Sequence, residues 1–120
     1  MDELRVLIAY EDSYRSYGQT MACAIRKLRP LAEVSVVQVR ELGSEVGRLA
    51  PHLVVCNRPN TVAPGGSAAW ARLSDEPEEA SEFCLDGQRR ALENPGLDEL
   101  LAIIDETAEL VRSGRDLGGC

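Results

Sequence analysis

The 120-residue sequence contains one histidine and one lysine, and its four cysteines, at positions 23, 56, 84 and 120, form no CxxC pair. Zinc and dithiol redox motifs need such pairs or several histidines, so both are excluded by spacing. The lone His52 leaves no partner set for a Ser-His-Asp or Cys-His mechanism. It is placed at the start of an apolar strand, where a structural role is expected. Neither GxxxxGK[ST] nor GxGxxG occurs, so the common nucleotide cradles are missing. No apolar run approaches the ~18 residues of a membrane span. The opening MDELRVLIAY has no basic stretch before its short apolar run, so it reads as a strand and not as a signal peptide. These absences point to a cytoplasmic protein that is not an enzyme and needs no cofactor. The shortage of lysine, Lys27 alone, fits the codon usage of a GC-rich genome and carries no function.

What is present suits one folded domain spanning 1–120. Apolar residues make up 44% and charged residues 28%, which is globular and not disordered. The net charge of −7 is uneven. Residues 1–60 are nearly balanced, whereas residues 61–120 carry thirteen acidic and five basic side chains. An acidic half repels phosphate backbones, so no nucleic-acid partner is expected. Cys23, Cys56 and Cys84 fall in apolar segments and read as small buried hydrophobes. Cys120 ends a Gly-Gly-Cys tail within a frayed 114–120 terminus.

Residues 4–10 form a nearly continuous apolar run, as in a central strand buried on both faces. Tyr14, Tyr17, Gly18, Met21, Ile25 and Leu28 then recur at helical steps, and Pro30 ends that helix. Val34, Val36, Val37 and Val39 mark a second strand. Leu42, Val46 and Leu49 mark a short helix, and Leu53–Cys56 a third buried strand. The βαβαβ order with short connections predicts parallel pairing, order 2-1-3, through right-handed crossovers. A Pro/Gly-rich loop, 58–67, follows. A strand centred on Trp70 comes next, with the tryptophan as a core anchor, then an acidic connector, 75–80. Two further strands flank Asp86-Gly87, a strong hairpin signal. The chain closes with a helix for which Asn94 can cap and Pro95 can take the first position. In it Leu97, Leu100, Leu101, Ile104, Ala108 and Val111 form one stripe, Ile103 and Leu110 sit beside it, and Gly114 can end it.

In open α/β sheets ligands collect at the carboxyl ends of strands where the strand order reverses. Here that place is the crevice between the first and third strands, flanked by Tyr10, Glu11 and Asp12 on one side and Asn57, Arg58 and Asn60 on the other. Arg5-Val-Leu-Ile-Ala-Tyr-Glu-Asp12 and Pro51-His-Leu-Val-Val-Cys-Asn57-Arg-Pro59 carry a specific resemblance. The first half resembles a response-regulator receiver, a CheY-like, flavodoxin-like three-layer sandwich of bacterial signal transduction. In that family the first strand ends in an acidic pair and the third in the phosphoacceptor aspartate. Carried over, the acid pair falls on Tyr10 and Glu11, with Asp12 next, and the nucleophile position is Asn57. The hydroxyl position is Ser74. The phosphate-pairing lysine position falls on Asp86, followed by Gly87 where the family has proline.

Receiver chemistry needs carboxylates to hold Mg²⁺, an aspartate nucleophile and a cation on the phosphate. An amide supplies neither nucleophile nor charge, and Asp86 inverts the required sign. About a dozen residues separate Ser74 from Asp86, too few for the usual fourth helix and its strand. The resemblance therefore implies a degenerate pseudo-receiver with a β-meander or hairpin in place of the fourth helix, acting on a protein partner, with a homodimer as one arrangement open to it. The alternative is a small-ligand or cation-binding protein using the same crevice. Glu11 and Asp12 are then weak metal candidates, Arg58 pairs an anion, and Asn60, Gly65 and Gly66 form a ligand loop.

Overall fold

The computed structural model describes residues 4–11, 15–56, 68–73, 80–93, 96–115 and 117. Six strands form one mixed sheet: β1 (Leu4–Tyr10), β2 (Ala32–Gln38), β3 (Leu53–Cys56), β4 (Ala69–Arg72), β5 (Ser81–Leu85) and β6 (Gln88–Leu92). The spatial order is β2-β1-β3-β4-β5-β6. The β2/β1, β1/β3 and β3/β4 pairs are parallel, and β4/β5 and β5/β6 are antiparallel. Three helices join them: α1 (Arg15–Leu28), α2 (Leu42–Leu49) and α3 (Leu97–Ser113). A 3₁₀ turn, Val39–Glu41, leads into α2.

Helices cover both faces, and the strand residues sort accordingly. Leu4, Val6 and Ile8 of β1 point into a core shared with Met21, Ala22 and Ile25 of α1 and with Leu100, Ile103 and Ile104 of α3. Leu7 and Ala9 point the other way, into a core with Leu42 and the half-buried Val46 and Leu49 of α2. Successive side chains of a strand point to opposite faces. A strand buried on both sides therefore reads as a continuous apolar run, as β1 and β3 do.

The meander β4–β5–β6 has a local cause. Asp86 and Gly87 both take positive φ, 56° and 72°, the pair of angles a two-residue hairpin turn demands. Gly87 adopts this freely and Asp is among the residues that tolerate it. Leu85 and Gln88 face each other directly across the turn, so β6 must run antiparallel to β5.

Several expectations are corrected. Tyr17 and Leu28 do not join the buried stripe of α1; they are 54% and 46% exposed. The buried stripe is Gly18, Met21, Ala22 and Ile25, narrower because only part of the helix rests on the sheet. Cys23 is exposed, and Cys84 is disulfide-bonded, whereas Cys56 is buried and in no disulfide. Cys120 lies outside the described residues. Helix α3 is capped by Gly96 and begins at Leu97, not at Pro95, because Glu99 Oε2 reaches back to accept the Gly96 N–H at 2.8 Å and so satisfies a donor the helix leaves open. Asn94 and Pro95 lie outside the described residues.

At its other end, Gly114 takes φ 68° and its N–H closes onto Leu110 and Val111, as a helix terminator does. Ile103 and Leu110 are both core residues. The start of the tail is anchored and not frayed. Arg115 donates to Asp86 at 2.8 Å, the Asp86 N–H donates to the Leu117 carbonyl, and Leu117 packs on the core.

The sheet edge near β6 is tied to α3 by Arg90, which donates to both carboxylate oxygens of Glu106 at 2.8 and 2.6 Å. Hydrogen bonding from Arg90, set against partial burial, holds the Glu106 carboxyl below the usual glutamate range. A depressed folded-state value means the pair stabilises above the unfolded value and loses that stability as pH falls through the folded one. Both side chains are about two-fifths exposed, so screening keeps the contribution to about 1 kcal/mol or less. Glu106→Gln is expected to lower the melting temperature slightly at pH 7 and to flatten its fall in acid. Urea unfolding of both proteins from neutral pH to pH 3 checks this; parallel pH profiles would remove the pair from the account.

Candidate functional site

The carboxyl ends of β1 to β4 form one edge of the sheet, where Tyr10, Gln38, Cys56 and Arg72 end their strands. The pairing register sets Tyr10 beside Gln38, Ala9 beside Cys56 and Cys56 beside Arg72. Of the residues singled out from the sequence, Tyr10 and Glu11 sit on this edge. Asp12, Asn57, Arg58, Asn60, Gly65, Gly66 and Ser74 lie outside the described residues.

Asp86 sits at the opposite edge. Glu82, at the start of β5, is level with Arg72, and Cys84 is level with Trp70. Because β5 runs against β4, its last residue and the turn beyond it lie toward the amino ends of β1 and β3. The structure does not bring Asp86 to Tyr10 and Glu11; it pairs Asp86 with Arg115 instead. The cation at the carboxyl end of β4 is Arg72, which bridges to Glu82 at 2.8 Å. Sequence reasoning missed Arg72 because the cation position was carried over from the receiver pattern to the end of the next strand, which fixed attention on Asp86. The hairpin signal at Asp86-Gly87 already implied the reversal.

Tyr10 fills the helix side of this edge. Its ring lies against Gly18 of α1 so closely that a Cβ placed there would stand 3.1 Å from Tyr10 Cδ1 and 3.2 Å from its Cβ. The space left between β1 and β3 beneath α1, among Ile8, Tyr10, Val55 and Cys56, is about 10 Å³. That is at the lower limit for one water molecule. Gln38 keeps its side-chain Oε1 buried with no hydrogen-bond partner, an uncommon state for a polar atom. Among the described residues no group of three or more His, Cys, Asp or Glu side chains could hold a metal ion.

The other sequence candidates are structural. His52 Nδ1 accepts the Arg5 backbone N–H at 2.9 Å, and its own N–H donates to the Arg5 carbonyl. It is thus a joint between β1 and the start of β3. Trp70 is 8% exposed in the α2-side core, with the Arg89 guanidinium 5.7 Å from its ring centroid, within cation–π range.

A larger space opens beside the Tyr10 edge. Between α1 and the start of α3 lies a cavity of about 330 Å³. Met21, Leu73 and Leu100 belong both to its wall and to the core, and the exposed Tyr17 and Leu97 also line it. Nothing in the sequence periodicity marked it, since it arises from the separation of two helices.

The chain matches no protein-family model, no curated protein and no solved structure. No helix among the described residues is long and apolar enough to cross a membrane.

Proposed function

We propose that this chain is a non-phosphorylated pseudo-receiver, a receiver-like and flavodoxin-like module that acts in the cytoplasm by binding a protein partner and performs no catalysis. The observation that carries the reading is Tyr10. At the first acid-pair position of the receiver pattern stands a phenol ring, 7% exposed and seated against Gly18. A ring there holds no Mg²⁺ and takes up the space on the helix side of β1 and β3. Asn57 at the nucleophile position adds to this, since an amide cannot accept a phosphoryl group as a carboxylate does. Asp86, at the lysine position, is at the far edge of the sheet and of the wrong sign. The βαβαβ order with helices on both faces supports the kinship, and the reversed β5 is where the chain departs from it. The loss of a switch leaves a surface that does not change with phosphorylation, so binding is constitutive or set by abundance.

Incubation with a small phosphodonor and Mg²⁺ is expected to leave the intact mass and the sedimentation coefficient unchanged. Asn57→Asp is expected to remain unlabelled as well, because no lysine follows it into place. Uptake of one acid-labile phosphoryl group by the wild-type chain would overturn the reading. Sedimentation velocity over a concentration series tests the homodimer; a monomer throughout removes that part only.

A further inference from the structure

We infer that the cavity between α1 and α3 is a binding site for a compact, uncharged, largely apolar small molecule. The inference stands apart from the pseudo-receiver reading, because it rests on a different space with different walls. Its first support is size. The cleft, open to solvent beside the exposed Tyr17 and Leu97, holds about 330 Å³, at the lower end of the range of small-ligand pockets, roughly 300–1,000 Å³. A molecule of roughly ten to fifteen non-hydrogen atoms fits such a volume at interior packing density.

The second support is how the space is kept open. Helices α1 and α3 make little direct contact with each other. They are clipped together beyond the end of α1, where Arg29 donates from two nitrogens to the two carboxylate oxygens of Asp105 at 2.7 and 2.8 Å. At the other end, Gly18 and Met21 are buried while Tyr17 and Leu97 are exposed. Alongside Tyr17 and Met21, α1 lines the space with the smaller Thr20 and Ala24. Leu73, at the carboxyl end of β4, is a further wall residue.

The third support is charge, which decides the ligand class. Among the described residues no charged side chain lines the space. Gly96 does, at the N-terminus of α3, but its N–H is already taken by Glu99 Oε2. Asp98 and Glu99 both occupy the first turn. An anionic ligand would find no basic group among the described wall residues and would lie near the acidic first turn of α3, and a cationic one would be desolvated beside Met21, Leu73 and Leu100 with no carboxylate among those residues to pair with. A neutral ring or branched chain loses least on entry. The hydroxyls of Thr20 and Tyr17 allow it one polar group.

The test uses the full chain, isotopically labelled on backbone amides and methionine methyls, titrated with indole, benzoate and benzylamine. Indole is expected to give saturable shifts of the Met21 methyl and of amides in 17–24 and 97–100. Benzoate and benzylamine are expected to bind at least about tenfold more weakly, since each carries a charge the walls do not answer. Ala24→Phe fills the space and is expected to weaken indole binding about tenfold or more while the remaining amide spectrum is kept. Thr20→Met, at an exposed position, narrows the cavity with less risk to folding and is expected to act in the same direction. The proposal is overturned by the absence of saturable indole shifts at these positions, by tighter binding of benzoate or benzylamine, or by indole binding unaltered in Thr20→Met and in a folded Ala24→Phe.

Discussion

Phe83→Ala is expected to lower the stability of the domain by about 3–5 kcal/mol, the usual cost of removing a fully buried phenyl ring and leaving a cavity. Phe83 is the only phenylalanine in the sequence and is fully buried, 0% exposed. It stands at the middle of β5, opposite Ala71 of β4 and Arg90 of β6. Its neighbours explain the size of the effect. The residues β4 sends to this face are Ala69 and Ala71, which with Leu73 join the same core. Two alanines leave room above the sheet, and the Phe83 ring belongs to the core that fills it beneath α3.

Small neighbours cannot expand into a vacancy, so most of the cavity term persists in the mutant. Domains of this size hold about 5–15 kcal/mol in total, so the variant is expected to be marginal at 37 °C. Phe83→Leu keeps most of the volume and is expected to cost only about 1–1.5 kcal/mol. Equilibrium urea unfolding measures both. A loss below about 1 kcal/mol for the alanine variant would mean that β5 is not a core strand and that the meander register is wrong.

The second large effect concerns Gly18. An exposed glycine in a helix interior ordinarily gains about 0.5–1 kcal/mol on replacement by alanine. Here the added methyl would meet the Tyr10 ring at 3.1–3.3 Å, tighter than ordinary contact. Tyr10 is buried and paired in register with Gln38, so it has little freedom to withdraw. The two terms oppose each other, and Gly18→Ala is expected to be close to neutral. Gly18→Val adds branching against the same ring and is expected to cost about 1–3 kcal/mol, the range for overpacking. The diagnostic is coupling: in a Tyr10→Ala background the valine should cost at least about 1 kcal/mol less, because contacting residues are not additive. Additive behaviour in the four-protein cycle would show that α1 is not seated on Tyr10. It would also remove the main support for the proposed pseudo-receiver reading.

Much of the architecture was legible before any coordinates. The double-sided burial of β1 and β3 follows from apolar runs without alternation, and the parallel order follows from short helical crossovers. The Asp86-Gly87 turn follows from two residues that accept positive φ. The end of α3 follows from Gly114. Less of the candidate site was legible. The strand-end crevice was read from Tyr10, Glu11 and Asn57, with Asp86 added by carrying over the receiver's lysine position to the end of the next strand. Yet the hairpin that marks the meander also reverses that strand, which puts Asp86 next to Arg115 and Leu117 instead. Tyr17 and Leu28 satisfied the helical period but not the burial, since periodicity states which residues share a face and not how wide the contact beneath them is.

The division between sequence and tertiary structure follows from range. Turn chemistry, helix ends and strand burial are properties of neighbouring residues, and the chain determines them locally. Which edge a residue reaches, what lies opposite Gly18 and whether two helices touch depend on pairings between segments tens of residues apart. Only the assembled sheet decides those. The parallel βαβαβ first half of this protein was therefore visible in its residues, whereas the seating of Tyr10 against Gly18, the placement of Asp86 at the far edge and the open space between α1 and α3 came from packing.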